Sequence, residues 1–280
     1  MEEKYSQIER AGEKGINSDY YYRKYIQYLL LEGCKYRDFS VLNKAGNNCR
    51  AFPIQTREDF EFILKYINWE RCKQNLYVGC ARLKNIPRFT LNPKERSSQT
   101  GVWYKEQYSK EVATYDLFFD FDKKEENSWE EVIQDVKHLK EYLEDYKVPY
   151  FLIFSGGKGF QIIIDGNYCP VKKIEYQAVF PHKTITEKIK KMLNLKFLDL
   201  SINGVESRLR KLPYSIVGNN VALPLSDNQL NNFEIENMSL DYVCSKITLI
   251  RRGNLERFSE LPLEIKKCNV DNFIKVFSFK

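Results

Sequence analysis

Histidine is nearly absent: the 280 residues contain two, His138 and His182. The seven cysteines, at 34, 49, 72, 80, 169, 244 and 268, are odd in number and form no Cys-x-x-Cys pair. A conventional Cys/His zinc site therefore lacks ligands, and free thiols in a reducing, intracellular compartment are the simplest reading. No stretch approaches the ~18 apolar residues of a membrane span. The opening MEEKYSQIER is too charged for a secretory leader, so none is expected. Neither an internal repeat nor a Gly-Lys-Ser/Thr phosphate loop is found. The net charge is only +6. It suits nucleic acid, but many enzymes without that ligand are as basic.

Apolar and aromatic residues are plentiful, 43% and 14% of the chain. That is enough for one large domain or two small ones with a real core. Residues 19–32 read as a helix stopped by Gly33. Arg37–Leu42 reads as a strand followed by a turn over 44–48. Thr56 can cap a helix running to about Trp69, and NLYVGCARL (75–83) reads as a strand. Residues 84–110 are polar and basic without periodicity, which predicts a long loop, mobile or in functional contact. Further on, Tyr115–Phe121 is a strand, and Ser128-Trp-Glu-Glu131 is a capping box opening a helix. Pro149–Phe154 and Phe160–Asp165 are strands around a turn. Thr184-x-x-Glu187 opens another helix, and 208–225 look extended apart from Pro213. The class is α+β with a central sheet.

Within YDLFFDFD (115–122), side chains alternate, so Asp116, Phe118, Asp120 and Asp122 share one strand face. Asp120 and Asp122 are spaced about 6.6 Å along it, from a rise of ~3.3 Å per residue. Two acids that close repel unless a cation lies between them, and oxygen-only ligands suit Mg²⁺ or Mn²⁺. A strand end running into water would also tolerate these acids.

A second segment, FSGGKGFQIII (154–164), puts Ser155, Gly156, Gly157, Lys158 and Gly159 between two apolar strands. Glycines permit tight turns and let a phosphate approach backbone N–H groups, and Lys158 adds a cation. A plain hairpin is the alternative. A third segment, FLDLSINGVESRLRKLPYSI (197–216), offers Asp199 and then the basic cluster Arg208, Arg210 and Lys211.

Together the three segments resemble the archaeo-eukaryotic primase superfamily, especially the catalytic small subunit of archaeal and eukaryotic DNA primases. Phe119-Asp120-Phe121-Asp122 matches its acidic strand, and Ser155 to Gln161 its Ser-x-x-basic-Gly-x-His turn. Leu198-Asp199 and Lys211-Leu212-Pro213-Tyr214-Ser215 match its third block. YRDFS (36–40), Arg50-Ala-Phe52 and VALPLSDNQLNNF (221–233) extend the similarity to about residues 20–235.

The resemblance implies a primase catalytic fold, a central mixed sheet flanked by helices, over residues 1–235. An N-terminal module would span about 20–110 and a metal- and nucleotide-binding module about 111–235. Residues 236–280 would be an extension packing on the core or on a partner. The implied activity is metal-dependent, template-directed synthesis of short primers on single-stranded DNA from nucleoside triphosphates. Asp120, Asp122 and Asp199 would hold two Mg²⁺ or Mn²⁺ ions. Ser155, Gly157, Lys158, Gly159, Gln161, Arg208, Arg210 and Lys211 would contact the triphosphate, and Arg50 a phosphate or the template. A primase large subunit is the implied partner. Two family histidines are replaced, by Gln161 and Val217, and no zinc knob is expected. A stand-alone primase-polymerase, a repair polymerase and a non-catalytic nucleic-acid-binding subunit are the alternatives.

Overall fold

The computed structural model describes residues 18–43, 48–67, 72–90, 92–167, 182–201 and 208–251. After a single turn at Ser18–Tyr21, helix α1 (Lys24–Cys34) leads into strands β1 (Arg37–Asn43) and β2 (Asn48–Ile54). The helix runs through Gly33 rather than stopping there, and Leu30 and Cys34 are fully buried at its end. Thr56 caps α2 (Arg57–Tyr66) as its sequence promises, with Asp59 completing the capping box. The expected end of this helix near Trp69 lies outside the described residues, as does most of the turn at 44–48. Next comes the long strand β3 (Cys72–Leu83).

The expected loop over 84–110 is instead largely helical, with α3 at Pro93–Glu106 and a turn of helix at Tyr108–Glu111. Periodicity fails to reveal α3 because one of its inward anchors is charged. Arg96 is completely buried, donates to Asp59 at 2.9 Å, and stacks its guanidinium on Phe62 and Phe89. Trp103, about two helical turns further on, fills the core beside Phe89 and Tyr108.

The expected single strand over 115–121 is two, β4 (Val112–Tyr115) and β5 (Leu117–Asp122), broken at Asp116. There the chain changes sheets. The first sheet has the order β2-β1-β3-β4, and β8 (Leu209–Lys211) also pairs with β3; the second is ordered β11 (Leu223–Pro224), β6 (Phe151–Phe154), β7 (Gly159–Ile164) and β5. Pairings within both sheets are antiparallel, so the expected mixed sheet is two antiparallel ones. One edge of β3 is divided: Tyr77–Gly79 face β8 and Ala81–Leu83 face β4.

Ser128 and Glu131 form the foreseen capping box of α4 (Trp129–Asp145). Strands β6 (Phe151–Phe154) and β7 (Gly159–Ile164) follow, then α5 (His182–Met192). That helix has begun by His182, ahead of the expected Thr184. Two-residue strands β9 (Ile216–Val217) and β10 (Asn220–Val221) form a hairpin; β11 (Leu223–Pro224) joins β6; α6 is Leu240–Arg251.

Alternation along β5 divides its side chains as the sequence suggests. Leu117, Phe119 and Phe121 enter a core with Val132, Val136 and Leu139 of α4 and Ile185 and Ile189 of α5. Phe118 goes to the other face, against Ile153, Ile163 and Tyr115. A separate core under the first sheet gathers Ile26, Leu30, Phe39, Val78, Leu212 and Val243, so α6 packs on this body. Burying such side chains stabilises each by roughly 1.5–3 kcal/mol against leaving it in water. Cys34 and Cys80 are buried free thiols, and Cys244 is half-buried. Among the described residues no helix is long and apolar enough to cross a membrane.

Candidate active site

Asp120 and Asp122 occupy the last turns of the pleat in β5, where the core beneath Phe118 has ended. Asp120 is half-buried and Asp122 exposed. On one side β5 pairs with β7, placing Asp120 opposite Gln161 and Asp122 opposite Gly159. Gln161 Nε2 donates to Asp120 Oδ1 at 3.2 Å. The other side of β5 receives the third segment. Leu198 bridges Phe121, Asp122 N–H donates to Phe197 C=O at 3.1 Å, and Asp199 N–H donates to Asp120 C=O at 2.8 Å. The segment of Asp199, distant in sequence, is thus brought alongside the strand end that carries Asp120 and Asp122.

The neighbouring charges act on Asp120 and Asp122. Burial first, then the charges of Asp122 and Asp199, push Asp120 up to about 7, against the pull of Gln161 and Arg208. Asp122 is raised by burial and Asp199, and opposed by Lys158 and Lys211. A group of oxygen donors this strained fits a divalent cation, which would relieve the repulsion. Gln161 Oε1, buried and without a hydrogen-bond partner, adds an unused acceptor beside Asp120. The acids do not form a closed cage: no three Asp, Glu, His or Cys among the described residues stand at ligand spacing. Asp199 instead accepts from the N–H and the hydroxyl of Ser201, each at 2.8 Å.

The glycine turn abuts this strand end. Ser155 N–H donates to Gly159 C=O at 2.8 Å, and Gly159 N–H returns a bond to Ser155 Oγ at 3.3 Å. Lys158 projects into solvent, and its C=O accepts from Lys123 N–H at 2.7 Å. Gly156 has φ +80°, and a Cβ there would meet Val217 Cγ2 at 2.7 Å. A Cβ on Gly159 would sit 1.6 Å from Phe121 O, so only glycine lets the turn lie this close to β5. Val217, at the second replaced histidine position, forms a wall over Gly156 and Gly157.

Lys211 on β8 donates to the Tyr77 hydroxyl, with its ammonium 4.2 Å from the ring centre. Arg208 is half-buried, and its Nε lacks a hydrogen-bond partner. Arg210 differs from its neighbours. It is 8% exposed and directed at Asp116, with Nη2 3.4 Å from Oδ2. Its pairing with Asp116 gives it a place in the scaffold rather than on the open side of the site. Arg50 lies on β2, but its side chain is outside the described residues.

Three residues of the site were missed by the sequence reading. Tyr77 carries Lys211, a pairing no local pattern announces. Asp135 accepts from Phe197 N–H at 2.8 Å, and Lys190 donates to Leu198 C=O. Asp135 had a signal, since it falls on the apolar stripe of Val132, Val136 and Leu139.

The family model described as the LigD primase-polymerase domain matches residues 98–234, which contain all three motifs. Among solved structures, the chain is similar to the polymerase domain of Mycobacterium tuberculosis ligase D in complex with DNA. That match has 15% identity and a TM-score of 0.53, and covers 88% of this chain and 92% of that one. Primase RepB′ aligns at 10% identity over 83% of this chain and 68% of that one, with a TM-score of 0.37 that carries no structural argument. No curated protein matches the sequence. These findings are broader than the archaeal and eukaryotic primase small subunit expected from the motifs. Residues 98–234 carry the LigD primase-polymerase pattern, and the chain shares its fold with the ligase D polymerase domain.

Proposed function

We propose that the protein is a divalent-metal-dependent, template-directed nucleotidyltransferase of the stand-alone primase-polymerase or repair-polymerase kind. The observation that carries this reading is the pairing of the Phe197–Asp199 segment with the free edge of β5. It brings Asp199 within electrostatic reach of Asp120 and Asp122, which Lys158 and Lys211 also influence. The LigD-type match favours this kind over a dedicated primase working with a large subunit.

Asp120, Asp122 and Asp199 would hold Mg²⁺ or Mn²⁺. Such ions, when bound, neutralise phosphate charge and make a 3′-hydroxyl a better nucleophile. The remaining work is positioning and charge compensation. Lys158 and the N–H groups around Gly157 and Gly159 would cradle the triphosphate, with Ser155 as a hydroxyl donor. Lys211, steadied on the Tyr77 ring, and Arg208 would bring positive charge from the first sheet. Gln161 holds Asp120 through one amide end and leaves its Oε1 for a hydroxyl donor of the nucleotide. Arg50 is retained as a contact to phosphate or template. Single-stranded template held through its phosphates would dissociate as salt rises.

The test is incorporation of labelled nucleotide on primed and on unprimed single-stranded DNA, with Mg²⁺ and Mn²⁺ compared. Metal-dependent extension of the primed template, lost in Asp122→Ala, is expected. New chains on the unprimed template would move the reading to a primase. No incorporation with either metal sinks the enzymatic reading.

A further inference from the structure

The segment bearing Asp199 has few ties of its own. Its bonds to β5 use Phe197 C=O and Asp199 N–H around the Leu198 bridge. Phe197 N–H and Leu198 C=O are left over, and a buried backbone group without a partner is costly. Each is taken by a charged side chain from a different helix. Asp135 Oδ2 of α4 accepts from Phe197 N–H at 2.8 Å, and Lys190 Nζ of α5 donates to Leu198 C=O. Asp135 is 6% exposed and sits among apolar neighbours, where a carboxylate costs free energy that a leucine would not.

We propose that Asp135 and Lys190 are positioning residues for the third carboxylate: from two different helices they fix the backbone of Phe197–Asp199 and so set where Asp199 stands relative to Asp120 and Asp122. The inference rests on the reading of Asp199 as a metal ligand. The bridge to β5 and the burial of Leu198 in the core hold the middle of the segment. A carboxylate on the Phe197 N–H and an ammonium on the Leu198 C=O fix the backbone on either side of that bridge. Partners that orient a ligand through other groups govern metal affinity by about 10–100-fold in known sites.

The experiment uses the full chain, stripped of metal and without nucleotide. Mn²⁺ affinity is read by the loss of the free-ion electron paramagnetic resonance signal, and folding by thermal unfolding in chelator. Asp135→Ala and Lys190→Met remove the pins. Asp135→Asn keeps an oxygen acceptor, and Lys190→Arg keeps a donor. Roughly tenfold weaker Mn²⁺ binding is expected in the first two, with affinity recovered in the second two. In an Asp199→Ala background, Lys190→Met should weaken binding no further. Wild-type affinity in both Lys190→Met and a folded Asp135→Ala overturns the proposal. So does an equal loss from Lys190→Met with Asp199 already gone. If Asp135→Ala does not fold, Lys190→Met decides. A wild-type chain that takes up no Mn²⁺ removes the metal-ligand reading itself, an outcome distinct from variants that bind as the wild type does.

Discussion

Asp116 holds Arg37 and Arg210 together where the chain passes from one sheet to the other. Arg37 Nη1 lies 2.9 Å from Asp116 Oδ2, and Arg210 Nη2 lies 3.4 Å from the same oxygen. Gly166 N–H donates to Oδ1 at 3.1 Å, and Asp116 N–H donates to Cys80 C=O at 2.9 Å. Asp116 is 1% exposed, and Arg37 reaches on to Asp165 at 3.2 Å. Removing this carboxylate leaves two buried guanidinium groups facing each other. Asp116→Ala should therefore cost about 3–5 kcal/mol of stability, read as a lower urea midpoint. An unchanged midpoint would mean that water reaches the cluster.

The metal-free protein should carry a pH signature of Asp120. Its folded pKa of about 7 lies above the unfolded value of ~3.9. Between those values the folded state binds more protons, so this group's contribution to stability falls as pH rises from 4 through 7. His182, held by burial down to about 4, acts the opposite way between 4 and ~6.5. The comparison of interest is therefore between wild type and Asp120→Asn. In chelator, the variant should gain stability relative to wild type at pH 8 over pH 5. Mn²⁺ should raise the melting temperature of the wild type alone.

Gln161 lowers the Asp120 pKa through its amide hydrogen bond. Replacing it by methionine keeps the bulk and deletes the donor. Asp120 should then ionise at higher pH, so the acid limb of kcat/KM against pH should move alkaline. A limb that stays in place would mean that Gln161 does not bond Asp120 in solution.

Gly159→Ala should abolish folding of the β5–β7 pair, because the new methyl meets the Phe121 carbonyl at 1.6 Å. Soluble expression and near-ultraviolet circular dichroism report it. Gly157→Ala is the control, since a methyl there finds only ordinary contact with Val217 at 3.5 Å.

Lys211 is half-buried on the Tyr77 ring and ends in the neighbourhood of Asp122. Lys211→Met keeps the aliphatic stem and removes the charge. A charge-assisted bond is worth ~1.5–3 kcal/mol, or about 10–100-fold in affinity. The nucleotide KM should rise by that order, with the melting temperature nearly unchanged. A shift in kcat alone would give Lys211 another role.

Much of this arrangement is readable where local rules suffice. Thr56 and Ser128 announce their helices because capping is a matter of three residues. The acids of β5 stand out because alternation separates them from Leu117, Phe119 and Phe121. Helix α3 stays hidden because Arg96 occupies a position where a pattern search expects an apolar residue. Arg210 looks like its neighbours Arg208 and Lys211 in sequence. Its partner Asp116 lies 94 positions away, and only the meeting of two sheets chooses between a ligand and a carboxylate. The interruption at Asp116 is hidden for the same reason, since an acid flanked by apolar residues reads as one more alternation.

Strand β3 serves as a shared ruler. Tyr77, Val78 and Gly79 fix β8 with its lysine and arginine, while Ala81, Arg82 and Leu83 fix the strand that leads into the acids. Sliding β3 by one residue would invert both neighbours at once. A deletion of one residue between Tyr77 and Leu83 would scatter the candidate site with Asp120, Asp122, Asp199 and Lys211 all still encoded.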